Sequence, residues 1–542
     1  MPGSRNSKAS PGFEPLVAGL LAAGLSFLAA AFFYSRGCLL YYGDAEAHLN
    51  IARRMVDSRT PGYDQIGTVW LPLPHLLLLP LVKDDRLWRT GLAGSISGGA
   101  CFVLAAVFLF AAAREAFQDR AAAVAACCLF ALNPNLLYLQ STAMTEPVFF
   151  AAFAALLYFT VRFLRTHSLV SVAGAGLATL AATLTRYEGW FLIPFVTAFF
   201  LIAGRGRRFV SAASFATLAA LGPLYWLGHN WWLCGNVLEF YNGPYSAQGI
   251  YHRALAAGLA RYPGDHELAK AWFYFRSAAE LCVGPALFWL GIAGSLAALL
   301  KKAFWPLFLL ALPPVFYVLS IYSSGTPIFV PHLWPFSYYN TRYGLAVLPL
   351  VAFAGAALVA LAPPRIRTVA AALVVLAPIV GWLLDPRMDS FICWKESQVN
   401  SNARRAWTGQ AADFLAAHRA PGDGVFASFG DLTGVFRQAG IPLRTTLHEG
   451  NNPQWLAATA RPDLFLSEPW AVAISGDVVS STIEKADLTG PHYRRAATII
   501  VKGASPIEIY DREDTWRGFG GAGPRPAPSG GQAGDLPHHK QP

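Results

Sequence analysis

Apolar stretches of roughly 18 or more residues recur along the first 385 positions, separated by short polar segments. At a rise of about 1.5 Å per residue, a helix of that length crosses a hydrocarbon core about 30 Å thick. About eleven such helices are predicted, over residues 16–33, 92–113, 121–139, 147–161, 169–184, 190–203, 209–227, 281–300, 304–321, 343–361 and 369–384. After Asp385 the pattern changes, with more charge and apolar runs of only the length of buried strands. Strands are predicted at 424–428, 463–467, 498–502 and 507–510, alternating with helices at 411–418 and 432–439. The expected fold is an all-α polytopic membrane bundle over 1–385, with a first outer loop at 35–91, followed by a soluble α/β domain at 386–517. The Gly/Pro-rich tail 518–542 has too little apolar surface to pack and is expected to be disordered.

Composition removes the soluble alternative, since 54% of residues are hydrophobic and 14% charged, against about 25% charged in an ordinary soluble domain. The net charge of +10 would suit a nucleic-acid partner were it not for where it falls. Arg5 and Lys8 precede the first span, and basic pairs or triplets follow each even-numbered one: Arg114 and Arg120, Arg162 and Arg165, Arg205 with Arg207 and Arg208, Lys301 and Lys302, Arg365 and Arg367. This positive-inside pattern puts the N-terminus in the cytoplasm of a multi-pass plasma (inner) membrane protein. The C-terminal domain and the segments 35–91 and 228–280 are then outside, and nucleic acid is not an expected partner. The first apolar stretch exceeds a signal-peptide core and opens a multi-span array, so it is expected to remain as a span.

Seven cysteines without a CxxC pair indicate neither zinc nor a dense disulfide framework. Cys101, Cys127 and Cys128 fall within predicted helices as small packing residues, while Cys234 and Cys282 flank an outer segment that a disulfide between them would close. Gly94 and Gly98 form a GxxxG, expected to serve close packing within the bundle rather than a dimer face.

No Asp, Glu, Lys or Arg lies in the middle of a predicted span. A proton-coupled transporter would need such groups at depth, where each costs about 2.5–3.5 kcal/mol on the insertion scale. Ionisable residues gather instead at the outer helix ends: Asp44, Glu46 and His48 after the first span, Glu146 before the fourth, Arg186 and Glu188 between the fifth and sixth, Arg342 opening the tenth. The stretch from Tyr41 to Val56 reads as an amphipathic helix lying in the interface, with Ala45, Leu49, Ala52 and Val56 on one face and Asp44 and His48 on another. Each polar residue also has a structural explanation. Asp44 suits an N-cap, Glu146 before Pro147 suits a helix start, and the arginines beside Tyr187, Trp190, Tyr339 and Tyr343 suit interfacial anchors. Their joint placement on one side of the membrane favours a site.

At these residues the chain resembles the GT-C superfamily of polytopic glycosyltransferases, which includes protein O-mannosyltransferases, lipid A aminoarabinose transferases and the oligosaccharyltransferase catalytic subunit. The resemblance covers roughly residues 15–385. It is carried by GDAEAHLNIARR in the first outer loop, WLPLPHLLLLPL after it, STAMTEPVFF, TRYEGWFLIP and NTRYGLAVLP. It implies a role for Asp44 at the transfer centre, supported by Glu146, and for Arg186 and Arg342, with Glu188, in holding a lipid phosphate. The D-A-E sequence at Asp44 and Glu46 departs from the acidic pairs of the family. Residues two apart on a helix point about 200° from one another, so metal dependence stays open.

The function implied is sugar transfer from a polyprenyl-phosphate donor to a hydroxyl on a lipid, glycan or protein acceptor, with Asp44 as general base or orienting carboxylate and His48 as a second candidate for orienting it. The rivals are a lipid-linked saccharide flippase with an outer sensor domain, which calls for a polar path or inverted repeats, and a receptor, in which Asp44 is dispensable.

Overall fold

The computed structural model describes residues 13–384, 391–430 and 432–513. The predicted tail 518–542, the basic residues Arg5 and Lys8, and the boundary at Asp385 lie outside the described residues. The chain is an α-helical polytopic membrane bundle with a small sheet near its C-terminal end.

All eleven predicted stretches are helical, but they are not eleven equivalent spans. By length and composition, seven helices among the described residues can cross a membrane, or nine if two bent pairs each count as one span. The third expected span is broken into Arg120–Ala131 and Pro134–Gln140, bent by 65°. The eighth starts earlier than expected, as Leu268–Val283, turns by 109° and continues as Pro285–Leu300. Gly284, with φ of 80°, supplies the left-handed backbone for that turn, and Pro285 occupies the first position of the new helix. The fifth and sixth, Leu169–Thr183 and Glu188–Ala203, have 15 and 16 residues, about 23–24 Å at helical rise and short of a full hydrocarbon core.

The helix Leu92–Phe117 packs against Glu146–Thr166, Phe13–Ser35 and Arg120–Ala131. Its GxxxG serves this intramolecular packing. A Cβ at Gly94 would lie 2.5 Å from the backbone nitrogen of Ala143, and one at Gly98 would overlap the carbonyl of Gln140. The seven cysteines are free; Cys234 is exposed whereas Cys282 is buried and donates to Thr341 O at 3.1 Å, so the expected bridge is absent.

The first-loop helix, Gly43–Arg54, is not an interfacial amphipath. Ala45, Glu46, His48, Leu49, Asn50, Ile51, Ala52 and Arg53 are all buried. The C-terminal region covers the side expected to face solvent: Glu46 accepts from Arg437 Nε at 2.9 Å, and Asp57 from Arg444 Nη1 at 3.0 Å.

The bundle and the sheet are joined by the 27-residue helix Ile392–His418, of which only the last two turns were expected from the pattern. Its start is tied to the bundle by Cys393 N donating to Asn135 Oδ1 at 2.9 Å and by the 2.7 Å Tyr138–Ser397 hydroxyl pair. Beyond it lie β1 (Val425–Ala427), β2 (Thr446–Leu447), β3 (Trp470–Ile474), β4 (Tyr493–Ile499) and β5 (Ile507–Arg512), in the order β2-β1-β3-β5-β4. The pairs β1–β2 and β1–β3 are parallel, while β3–β5 and β4–β5 are antiparallel. Residues 463–467 are not a strand: Pro462 opens the short helix Pro462–Phe465. The strand expected at 498–502 ends at Ile499, and β2 and β3 went unpredicted.

Candidate active site

Five chain segments far apart in sequence meet where the bundle receives the start of the joining helix Ile392–His418. Asp44 lies in the first turn of Gly43–Arg54, Glu146 opens Glu146–Thr166, and Glu188 opens Glu188–Ala203. Arg342 sits in the 3-10 turn Thr341–Val347 that leads into Leu348–Leu361, and Glu396 comes from the joining helix. Asp44 is not an N-cap, because Tyr42 occupies that position and makes no side-chain cap.

Arg342 is the hub. Its Nη2 donates to Asp44 Oδ2 at 2.5 Å, its Nε to Glu146 Oε1 at 3.2 Å and its Nη1 to Glu396 Oε1 at 3.4 Å. The planar guanidinium thus reaches three separate carboxylates from three different nitrogens, where an ammonium would have to reach all of them from one. Arg186 shares Glu146 Oε1 at 3.2 Å and reaches Glu188 Oε1 at 2.6 Å, Thr145 Oγ1 at 2.6 Å and Tyr317 Oη at 2.6 Å. The Tyr343 ring lies against both guanidiniums, 4.9 Å from Arg342 and 5.2 Å from Arg186, and stacks on Tyr317. Tyr42 flanks Arg342 at 5.1 Å.

Exposure separates the members of this cluster. The side chain of Asp44 is 43% exposed, whereas those of Arg342, Glu146 and Glu396 are 6%, 6% and 1% exposed. Asp44 is therefore the carboxylate at the mouth, and the others form its floor. Two buried atoms of the cluster make no hydrogen bond, Glu146 Oε2 and Tyr42 Oη. Glu396 Oε2 accepts from Thr341 N at 2.7 Å, and burial raises its pKa despite the opposing pull of Arg342.

His48 is buried one helical turn beyond Asp44, with Nδ1 2.9 Å from His75 Nε2 and its ring against Trp70. Burial, then Arg186 and Arg342, push its pKa down to about 3, so it is neutral at physiological pH. Of the residues singled out from the sequence, the structure thus brings together Asp44, Glu146, Glu188, Arg186 and Arg342, with His48 adjacent. Glu46 points elsewhere, into its ion pair with Arg437, as the 200° separation requires. Glu396, Tyr317 and Tyr42 were not foreseen, while Tyr343 was expected beside the arginines. The aromatic residues are unremarkable in so aromatic a chain, and Glu396 belongs to a mixed-charge helix with no local sign of contact with the membrane bundle.

The donor set does not fit a metal ion. Among the described residues no three His, Cys, Asp or Glu side chains converge on one point, and the central carboxylates are turned to guanidiniums.

Residues 87–232 match the family model described as dolichyl-phosphate-mannose-protein mannosyltransferase. Comparison with curated protein sequences finds no match. Among solved structures, the crystal structure of ArnT from Cupriavidus metallidurans bound to undecaprenyl phosphate aligns with a TM-score of 0.56 at 14% identity, over 93% of this chain and 98% of that one. The apo form of the same protein aligns with a TM-score of 0.52 at 14% identity, over 91% and 97%. With near-complete coverage in both directions and a matched segment running through the bundle, the chain has the fold of the GT-C superfamily of polytopic glycosyltransferases.

Proposed function

We propose that this protein transfers a sugar from a polyprenyl-phosphate-linked donor to an acceptor hydroxyl on the non-cytoplasmic face of the membrane. The observation that carries the reading is the pair of buried arginines, Arg186 and Arg342, with one exposed carboxylate, Asp44, at their mouth. Undecaprenyl phosphate bound to the structurally similar ArnT supports the donor class. The basic loops after the even-numbered helices support the sidedness. The division into a bundle to about residue 385 and an α/β domain beyond it belongs to the same proposal.

In the structure all three nitrogens of Arg342 are engaged by carboxylates, at Nε, Nη1 and Nη2, which leaves one N–H on each terminal nitrogen for a phosphate. Asp44 is the contact that water reaches, so it is the one an incoming phosphate displaces. The exchange couples two requirements. The guanidinium gains a phosphate oxygen, a charge-assisted contact suited to its geometry, and the carboxylate loses its cation and is freed as a base. The acceptor oxygen then bonds to the anomeric carbon while its proton passes to Asp44. The bond from that carbon to the phosphate oxygen breaks, leaving its electron pair on the polyprenyl phosphate. Arg342 and Arg186 stabilise that developing charge in a site whose floor excludes water. Glu146 Oε2 and Tyr42 Oη, both without partners, are available to sugar or acceptor hydroxyls. Neutral His48 serves to orient, and no step requires a cofactor.

The test is purified protein in detergent supplied in parallel with polyprenyl-phosphate sugars and nucleotide sugars. Transfer from the lipid-linked donors is expected; efficient transfer from a soluble nucleotide sugar alone overturns the reading.

A further inference from the structure

The C-terminal end of the first-loop helix meets the sheet domain at a second group of polar side chains, separate from the paired arginines. The guanidinium carbon of Arg54 lies 4.4 Å over the Phe429 ring, and Phe429 packs on His448 with ring centroids 4.2 Å apart. Arg54 Nη2 donates to Gln65 O at 2.9 Å. Gln65 and His448 meet at Gly450, where a Cβ would lie 2.9 Å from Gln65 Oε1 and 2.8 Å from His448 Cε1. Side chains from the first-loop helix, the rest of that loop and the sheet domain thus share one small volume.

Hydrogen bonding there is incomplete in a specific way. His448 is fully buried, and its Nδ1 accepts from Gly450 N at 3.0 Å. The neutral ring therefore carries its hydrogen on Nε2, and that donor has no acceptor. Burial and the nearby cations Arg54 and Arg59 keep the ring neutral, its pKa well below the ordinary value. The buried Nε of Arg54 likewise has no acceptor, and the carboxylate whose charge acts on Arg54, that of Glu449, makes no hydrogen bond to it and instead accepts from Phe429 N at 2.8 Å. Its neighbours are satisfied: Arg53 pairs with Asp57 at 2.9 Å and with Asp85, and Arg59 with Glu468 at 2.6 Å. Gln65 spends its amide nitrogen on Thr60 O at 2.9 Å and Gly450 O at 2.7 Å, which leaves buried Oε1 with no donor.

Buried polar atoms in folded proteins are overwhelmingly paired, so three orphans within one side-chain cluster describe what is missing. Two unanswered donors, one of them on a cation whose nearby carboxylate, Glu449, does not reach it with a hydrogen bond, call for an anionic oxygen. The unanswered Gln65 carbonyl calls for a donor, which a fully ionised phosphate or carboxylate lacks, and so for a hydroxyl on the same molecule. We propose that Arg54, His448 and Gln65 form an acceptor subsite for a saccharide that carries an anionic group, phosphate or carboxylate, with a hydroxyl beside it.

Arg54 is ten residues from Asp44 on one helix, about 15 Å along its axis. The anion is accordingly a remote anchor on an extended acceptor and not the group that receives the sugar. This also gives the sheet domain a task, since His448 reads the acceptor while Glu396 from the same region braces Arg342. The proposal rests on the transferase reading only in naming the ligand an acceptor; anion binding itself is measured without turnover.

The experiment is titration calorimetry on the full-length protein in detergent, with glucose 1-phosphate, glucuronate, inorganic phosphate and glucose as probes, each with and without saturating polyprenyl phosphate. Saturable binding is expected for glucose 1-phosphate or glucuronate, the one that binds naming the anion. Glucose and inorganic phosphate should each bind more weakly, for want of the anion and the hydroxyl respectively. Arg54→Gln should weaken the bound sugar on the order of tenfold, and polyprenyl phosphate should not displace it. Should Arg54→Gln fail to fold, His448→Phe, which keeps the ring stack on Phe429 and deletes both ring nitrogens, carries the same comparison. Equal binding of glucose and its phosphate, equal binding of free phosphate, indifference to both substitutions, or displacement by polyprenyl phosphate overturns the subsite. Loss of this site with polyprenyl phosphate still binding at Arg342 leaves the transferase reading standing, and the converse result separates the two in the other direction.

Discussion

Replacing Arg342 by Lys keeps the charge and removes the fork, which makes it the most discriminating single change in the centre. Three nitrogens of Arg342 now serve Asp44 at 2.5 Å, Glu146 at 3.2 Å and Glu396 at 3.4 Å. Asp44 is 43% exposed, so water replaces most of what it loses, and its share of the stability change is small. Glu146 and Glu396 are 6% and 1% exposed and have no such recourse. Glu146 keeps Arg186 on the same oxygen at 3.2 Å, whereas Glu396 keeps only the Thr341 N–H, so an ammonium too short to reach Glu396 costs about 1.5–3 kcal/mol. The melting temperature in detergent should fall measurably. For catalysis, the lost bidentate grip on the phosphate should lower the transfer rate on the order of 10²-fold or more. Both are read on one preparation, by a thermal melt and by transfer from a radiolabelled polyprenyl-phosphate sugar. A variant with the wild-type rate refutes the phosphate role of Arg342 whatever its stability. A wild-type melting temperature refutes its role as the buried hub.

Asp44→Asn, which removes the carboxylate's basicity while keeping its shape, should abolish transfer with expression and membrane insertion intact; wild-type turnover sinks the assignment of the base. His48 has its folded pKa depressed from 6.5 to about 3, so its stabilising contribution is full above 6.5 and is lost as pH falls from 6.5 toward 3. His48→Gln should consequently lose less melting temperature than wild type over that window, and a pH–rate limb near 6.5 that vanishes in this variant contradicts a permanently neutral His48. The Glu46–Arg437 pair, with side chains 10% and 14% exposed, should show coupling of about 1–3 kcal/mol in a double-mutant cycle of thermal or denaturant stability, whereas zero coupling denies it a part in docking the sheet domain. A cysteine at Ser475 should react with an impermeant thiol reagent from the non-cytoplasmic side of intact cells, and labelling only after the cytoplasm is opened reverses the proposed topology.

Much of this protein was legible before any coordinates. Membrane helices are written in one dimension, because lipid obliges every span to be long, apolar and self-satisfied in its hydrogen bonds, and loop charge is equally local. The eleven stretches, the change of composition near residue 385 and the set Asp44, Glu146, Arg186, Glu188 and Arg342 all follow from such rules and from the motifs around them. What the pattern misjudged were properties that depend on a neighbour remote in sequence. The helix Gly43–Arg54 has the periodicity of an interfacial amphipath, yet it is buried because the sheet domain covers its polar side through Arg437. Glu46 sits two residues from Asp44 with the same charge, but helical geometry turns it to that other partner. Glu396 enters the site from a helix with no membrane signature, because only the folded chain carries the start of Ile392–His418 against the turn at Thr341. The sequence by itself determined the apolar helices and which ionisable residues gather at one end of the bundle, since hydrophobicity and charge act position by position. Tertiary structure alone decided that Arg342 holds three carboxylates, that Asp44 is the exposed one, and that Arg54 and His448 are left unanswered, because pairing and burial are properties of atoms brought together from distant parts of the chain.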